Sequence, residues 1–343
     1  MAGGLAGVGD GMGDAIVVEN LVKAFGSLVA VDNVSFTVEE GELFGFLGPN
    51  GAGKTTTINI LTTLLKPTSG WALVGGYDVG REAERVRRVV GLVPQELTVD
   101  DDLTGWENLM LQAGLYHIPR HEARRRASEL LELVGLTEAA HRKVETYSGG
   151  MRKRLDLISG LMHRPQILFL DEPTLGLDVQ TRAAVWEYIK QLRREMGMTI
   201  FMTTHYMDEA DSLCDRVAII DHGRIKAVDT PGGLKNSLGG DIIELELVAD
   251  GRDMLQSVQH VRGVKRAAYV GGLLRITVEN GERVLPTLLE TLLNDGVRVG
   301  RVMMKKPSLE EVFLEYTGRK LREEAGSWED DLRRRFVLRR ARA

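Results

Sequence analysis

The stretch GPNGAGKTT, Gly48 to Thr56, follows the apolar run ELFGFLG and runs into KTTTINILTTLL. Its glycines allow the backbone to curl until successive N–H groups, from Asn50, Gly51, Ala52 and Gly53 through Lys54, Thr55 and Thr56, surround phosphate oxygens. The Lys54 ammonium is placed to reach β- and γ-phosphates, and the Thr55 hydroxyl to ligate Mg2+. The loop needs a strand before it and a helix after it, and the flanking patterns supply both. By itself it means nucleotide phosphate and leaves the reaction open, since kinases, GTPases and ATPases share it.

A second chemistry-bearing run is ILFLDEP, residues 167–173. Four apolar residues predict a buried strand ending in Asp171 and Glu172. Asp171 would hold Mg2+. Glu172, one residue on, would polarise a water for attack on the γ-phosphate. Alone, the two acids read as a solvent-exposed pair at a strand end. A third run, YSGGMRKRL, Tyr147 to Leu155, opens a helix with a serine and two glycines. That is a second phosphate seat, with free N–H groups and a positive dipole end.

The order of Gly48–Thr55, Gln95, YSGGM, LFLDEP, LGLD and His205 resembles the ATP-binding cassette (ABC) family over residues 16 to 235. The resemblance implies an α/β P-loop NTPase fold with a mostly parallel sheet core, an antiparallel β subdomain and a helical subdomain. It implies that Phe25, in VKAFG, stacks on adenine, though alone Phe25 reads equally well as strand core. It implies that Gln95, in GLVPQE, senses Mg2+ and water and links to a membrane partner; alone it reads as a loop residue beside Pro94. Ser148, Gly149 and Gly150 match the family signature, Asp178 the D-loop aspartate, and His205 the switch histidine that contacts the γ-phosphate. A lone histidine after a strand is otherwise a surface or capping residue. In this family two cassettes dock head to tail, so Ser148 of one subunit closes on ATP held by the other. Two phosphate seats in one chain then follow, and ATP-dependent dimerisation, sufficient as a homodimer, is expected.

The signature departs from the family's usual Leu and Gln at Tyr147 and Met151, while its Ser-Gly-Gly core is intact. The basic run Arg152, Lys153, Arg154 would either favour phosphate or solvate its helix. KKPSLEEVFLEYTG, Lys305 to Gly318, is similar to the C-terminal motif of the daunorubicin/doxorubicin-resistance type of ABC exporter ATPases. That implies a separate multi-span membrane permease subunit, export of an amphipathic, drug-like or lipid compound, and a place at the cytoplasmic face of the membrane. The competing reading is a soluble ABC ATPase acting on ribosomes or nucleic acid. One cassette and no sustained heptad count against it.

The elements that must position these residues are legible in outline. The 343 residues suggest about two domains. Residues 1–14, with six glycines, read as a flexible tail. Residues 15–235 alternate strands and helices, which argues for a mostly parallel sheet. Within them 97–165 are mostly helical. Beyond TPGGLKNSLGGD the rhythm changes, and 240–318 read as a small α+β domain whose last helix places Leu309, Val312, Phe313 and Tyr316 on one face and acids on the other. We expect that helix to serve dimerisation. Residues 319–343 form a charged tail. The net charge of −5 offers no global basic field, so no nucleic-acid partner is expected. One cysteine, Cys214, excludes an intrachain disulfide and reads as a small core residue. The apolar runs are strand-length, short of the roughly 20 residues a membrane-crossing helix needs.

Overall fold

The computed structural model describes residues 13–247, 255–270 and 273–318. The tail expected at 319–343 and most of that expected at 1–14 lie outside them. The chain divides into two compact units at Val228/Asp229.

The first unit begins with β1 (Asp14–Phe25), β2 (Leu28–Glu39) and β3 (Leu43–Leu47), then α1 (Lys54–Leu61), β4 (Ser69–Val74), β5 (Tyr77–Asp78), α2 (Ala83–Val89) and β6 (Val90–Val93). A helical stretch follows: α3 (Gly105–Leu115), α4 (Arg120–Leu133) and α5 (Gly149–Ser159). The chain then returns through β7 (Ile167–Asp171), α6 (Val179–Met196), β8 (Thr199–Thr204), α7 (Met207–Leu213), β9 (Arg216–Asp221) and β10 (Arg224–Asp229). The sequence pattern runs the first helix on to Leu65. The structure ends α1 at Leu61, with Thr62 as C-cap and Thr63 at a left-handed φ of 65°. β-Branched residues just ahead of Pro67 disfavour another helical turn.

Two sheets meet in one core. The antiparallel sheet has the order β2-β1-β4-β5, and the larger sheet β10-β9-β3-β8-β7-β6. In the latter β6, β7, β8, β3 and β9 are parallel. β3 and β7 are buried along their whole length, as continuous apolar strands of a covered parallel sheet are. Phe36 of β2 stacks on Phe44 of β3 with centroids 5.4 Å apart, and Phe46, Phe169 and Phe201 complete the cluster. Cys214 is buried against Gly45, where a Cβ would sit 2.5 Å from its sulfur. The in-register order β3-β8-β7 brings the C-terminal ends of three strands side by side: Leu47 pairs with Thr204, and Thr203 with Asp171. Open parallel sheets bind ligands at that end.

The second unit holds α8 (Pro231–Ser237), β11 (Asp241–Leu247), α9 (Leu255–Gln259), β12 (Val264–Val270), β13 (Leu273–Val278), α10 (Gly281–Asn294), β14 (Val299–Lys305) and α11 (Leu309–Thr317). Its antiparallel sheet has the order β12-β13-β11-β14. From β11 to β14 this is the ferredoxin-like β-α-β-β-α-β arrangement. Ile243, Leu245, Leu274, Ile276, Leu288 and Leu292 form its core. α11 differs from the simple amphipathic reading. Leu309, Val312 and Phe313 are buried, but so is Glu311, while Tyr316 is exposed. Glu311 pairs with Arg275 of β13 and with Lys305 of β14, so charged groups anchor the helix's acidic side as well.

Candidate functional site

The loop between β3 and α1 is shaped by close backbone approach. At Gly53 φ is 103°, and a Cβ would lie 2.4 Å from the Ala30 carbonyl oxygen. At Gly48 a Cβ would lie 2.3 Å from the Ile220 carbonyl oxygen. Only glycine fits at either place. The β9–β10 turn, with His222 and Gly223 both at positive φ, braces the loop from below: the Gly223 N–H donates to the Ala52 carbonyl over 3.0 Å. Asn50, Gly51 and Thr55 face solvent, Thr56 is half-buried, and Ala52 is buried.

Lys54 is 4% exposed. Its ammonium donates to the carbonyls of Gly48 at 2.7 Å and Pro49 at 3.0 Å, and pairs with Glu172 Oε1 at 3.0 Å. Glu172 is itself buried, and its other oxygen lies 3.0 Å from His205 Nδ1. Burial alone would raise the Glu172 pKa, but the His205 hydrogen bond and the Lys54 charge outweigh it and pull the carboxyl down to about 2. Glu172 sits at φ 47°, outside the usual region for a residue with a side chain. Its N–H is held by the Thr203 hydroxyl at 3.0 Å. Strain of that kind persists where the surroundings over-determine it.

Asp171 lies at the end of β7, buried rather than solvent-exposed. Burial pushes its carboxyl above the usual range, against hydrogen bonds from Thr203, at 2.5 Å, and Thr55. A buried carboxylate beside an exposed threonine hydroxyl offers hard oxygen donors of the kind Mg2+ takes. Among the described residues no cluster of three His, Cys, Asp or Glu could cage a metal. The donor set therefore fits an ion that draws its remaining ligands from phosphate and water.

The other expected site residues are not among the partners of Lys54, which are Gly48, Pro49 and Glu172. Gln95 is exposed two residues beyond β6, whose Val93 pairs with Leu170 beside Asp171. Phe25 ends β1 half-buried, with the Lys23 ammonium 5.0 Å from its ring centroid, so it is not strand core. Ser148 caps α5 by accepting the Met151 N–H at 3.3 Å, and Ser148 and Gly149 are exposed while Gly150 is half-buried. Asp178 caps α6, exposed, its pKa lowered by hydrogen bonds from Thr181. The signature seat and the Lys54 seat thus present separate surfaces.

Some contributors escape a sequence reading. Thr203 bonds both acids of the strand end, and in the sequence it is only one of two threonines closing an apolar strand. The buried Glu209 accepts from Thr174 at 2.8 Å and Trp186 at 2.9 Å. The basic run after the signature neither solvates its helix nor waits for phosphate. Lys153 is buried against Asp156 and the Pro94 carbonyl, both at 3.4 Å, and Asp156 accepts from Thr98. Arg154 donates to Val134 and Tyr188, and Arg152 to Val144 and Glu145. Tyr147, where the family has Leu, is buried and donates its hydroxyl to the Ala139 carbonyl at 2.6 Å.

Comparison with known proteins bears on the family and the fold. A family model described as "ABC transporter" matches residues 31–175, and one described as "ATP-binding protein DrrA1-3-like, C-terminal domain" matches residues 230–317. The linearmycin resistance ATP-binding protein LnrL of Bacillus subtilis is 41% identical over 89% of this chain and 99% of its own length. The daunorubicin resistance ATP-binding protein DrrA2 of Streptomyces coeruleorubidus is 43% identical over 89% of this chain and 96% of its own. Among solved structures, a dimeric ATP-binding cassette in a post-hydrolysis state with ADP and Pi superimposes with a TM-score of 0.56 at 29% identity, covering 63% of this chain and 98% of that one.

Proposed function

This chain belongs to the ABC transporter family as one of its ATP-binding, ATP-hydrolysing subunits, and from that premise we propose that two copies close head to tail around ATP to drive a separate multi-span permease. The buried Lys54–Glu172 pair, joined by the half-buried His205, carries this reading. Lys54 opens α1, Glu172 follows the end of β7 and His205 the end of β8, and the three meet where we place the in-line attack on a γ-phosphate.

The proposed chemistry follows from the contacts. An arriving phosphate competes with Gly48, Pro49 and Glu172 for the Lys54 ammonium. When Lys54 turns to phosphate, Glu172 keeps His205 as its partner and is left free to accept a proton from water. Paired with Lys54 the carboxyl is ionised, and losing the Lys54 charge to phosphate raises its basicity. The N–H groups from Asn50 to Thr56 orient the phosphates, and Phe25 faces the adenine. Asp171 and Thr55, with Gln95 nearby, would hold Mg2+, which supplies charge neutralisation on the phosphate oxygens. Ser148, Gly149, Gly150 and Asp178 present the exposed face that completes the site of the second copy.

Among the described residues no helix is long and apolar enough to cross a membrane. Passage of a substrate therefore calls for a partner. α3 offers one place for it: Leu111 and Leu115, one turn apart, are exposed together with Tyr116. Apolar residues so grouped mark interaction surfaces. The relatives named for resistance to linearmycin and daunorubicin, and a Nod factor export ATP-binding protein of Ralstonia nicotianae at 36% identity, favour export of an amphipathic, drug-like or lipid compound from the cytoplasmic face over action on ribosomes or nucleic acid.

Tagged Glu172→Gln protein provides the test. It should form a dimer in saturating Mg·ATP by light scattering and hydrolyse ATP roughly 100-fold or more slowly than the native chain. From detergent-solubilised native membranes it should co-purify with a stoichiometric multi-span protein. A persistent monomer would overturn the two-copy site, and recovery of ribosomes or nucleic acid alone would overturn the transport role.

A further inference from the structure

Glu172 is joined to the signature helix by a continuous path that the hydrolytic chemistry does not require. α5 and α6 touch at two points. A Cβ on Gly150 would lie 2.7 Å from Thr181 Cγ2, and one turn on Arg154 donates to the Tyr188 hydroxyl at 3.0 Å. Thr181 is bound twice to Asp178, through its N–H at 3.0 Å and its hydroxyl at 2.6 Å. The next residue, Arg182, places its guanidinium 3.8 Å from the centroid of the Tyr206 ring. That ring lies 4.1 Å from the ring of His205, whose Nδ1 is 3.0 Å from Glu172 Oε2.

The Arg182 contact is unusually committed. The side chain is only 16% exposed, its Nε is buried without a hydrogen-bond partner among the described residues, and its ion-pair partner Asp208 is 3.8 Å away and mostly exposed. The guanidinium is thus held by the face of the Tyr206 ring together with the charge of Asp208. A cation held on a ring away from water is a strong and directional contact. Moving α6 would move Arg182, and Tyr206 could follow only by carrying His205 with it.

We propose that Arg182 and Tyr206 are positioning residues that transmit engagement of Ser148–Gly150 to Glu172 of the same chain. Each copy gives its signature to one ATP and its Glu172 to the other. A route from signature to Glu172 within one copy therefore couples the two ATP sites, so that neither fires until both are closed. The inference rests on the two-copy reading above. It adds a physical element, the α6 start with Arg182 over the Tyr206 ring beside His205, that both sites bias.

The test uses full-length chain and ATP hydrolysis at varied Mg·ATP. Arg182→Met keeps the aliphatic stem and removes the cation. Tyr206→Ala removes the ring, and Tyr206→Phe keeps it. Arg182→Met and Tyr206→Ala should lower kcat roughly 10- to 100-fold, with KM for ATP little changed and the Hill coefficient reduced. Tyr206→Phe should stay close to the native chain. Ser148→Ala combined with Tyr206→Ala should lose less than the product of the two single losses, as residues on one route do. In the Glu172→Gln background Arg182→Met should still dimerise with Mg·ATP, which shows that the fold is intact. Failure of Glu172→Gln itself to dimerise would overturn the two-copy reading and this inference together. A Glu172→Gln dimer alongside an Arg182→Met kcat at the native level, or multiplicative losses with Ser148→Ala, would overturn this inference alone.

Discussion

One carboxylate, that of Glu172, is held by two cationic or hydrogen-bonding neighbours within 3.0 Å. Its pKa in the folded chain lies below its ordinary value of 4.5, at about 2. The sign of the linkage is then set. The group contributes stability above pH 4.5, and that contribution disappears as pH falls toward 2. The stability gap between the native chain and Glu172→Gln should therefore be present at pH 7 and narrow at about pH 3, read from urea midpoints at the two pH values. An equal gap at both would show that the carboxylate is not held as the structure places it. Residue types at short spacing made Lys54, Asp171 and Glu172 readable. Lys153 was not readable, because a lysine in RKR looks solvated until Asp156 and the Pro94 carbonyl are folded against it.

The phosphate loop shows how an element borrows its shape from chain segments far away in sequence. Gly53 is pressed against Ala30 of β2, and Gly48 against Ile220 of β9. Gly53→Ala puts a side chain at φ 103° and into a backbone carbonyl, which costs more than about 1 kcal/mol. Nucleotide binding should weaken roughly tenfold or more, measured by fluorescence titration with a labelled ATP analogue. Unchanged affinity would mean that the loop relaxes freely. The glycine pattern announced the loop, but not what crowds it. α11 is the contrary case. Its spacing predicted the burial of Leu309, Val312 and Phe313, yet Glu311 is buried too, because Arg275 and Lys305 stand on strands that no local pattern brings near it.

At the scale of the whole molecule, the two units have separate cores. Phe313, on α11 of the second unit, is fully buried, so Phe313→Ala should cost about 3 to 5 kcal/mol. Calorimetry should show one transition lowered while ATP binding by the first unit persists; loss of both together would show that the units unfold as one. The burial also means that a dimer contact through α11, which remains our proposal, would have to use exposed groups such as Tyr316 rather than Phe313. Local pattern was enough to read the phosphate loop, the acidic strand end, the signature start and the alternation of strands and helices. Each of these is a local pattern, dictated by backbone geometry or by side-chain periodicity over a few residues. Tertiary structure alone decided that β8 lies between β3 and β7, that His205 therefore reaches Glu172, that Thr203 binds both acids, and that Arg182 covers Tyr206. Those contacts join residues brought together by strand order and helix packing, and no spacing along the chain encodes them.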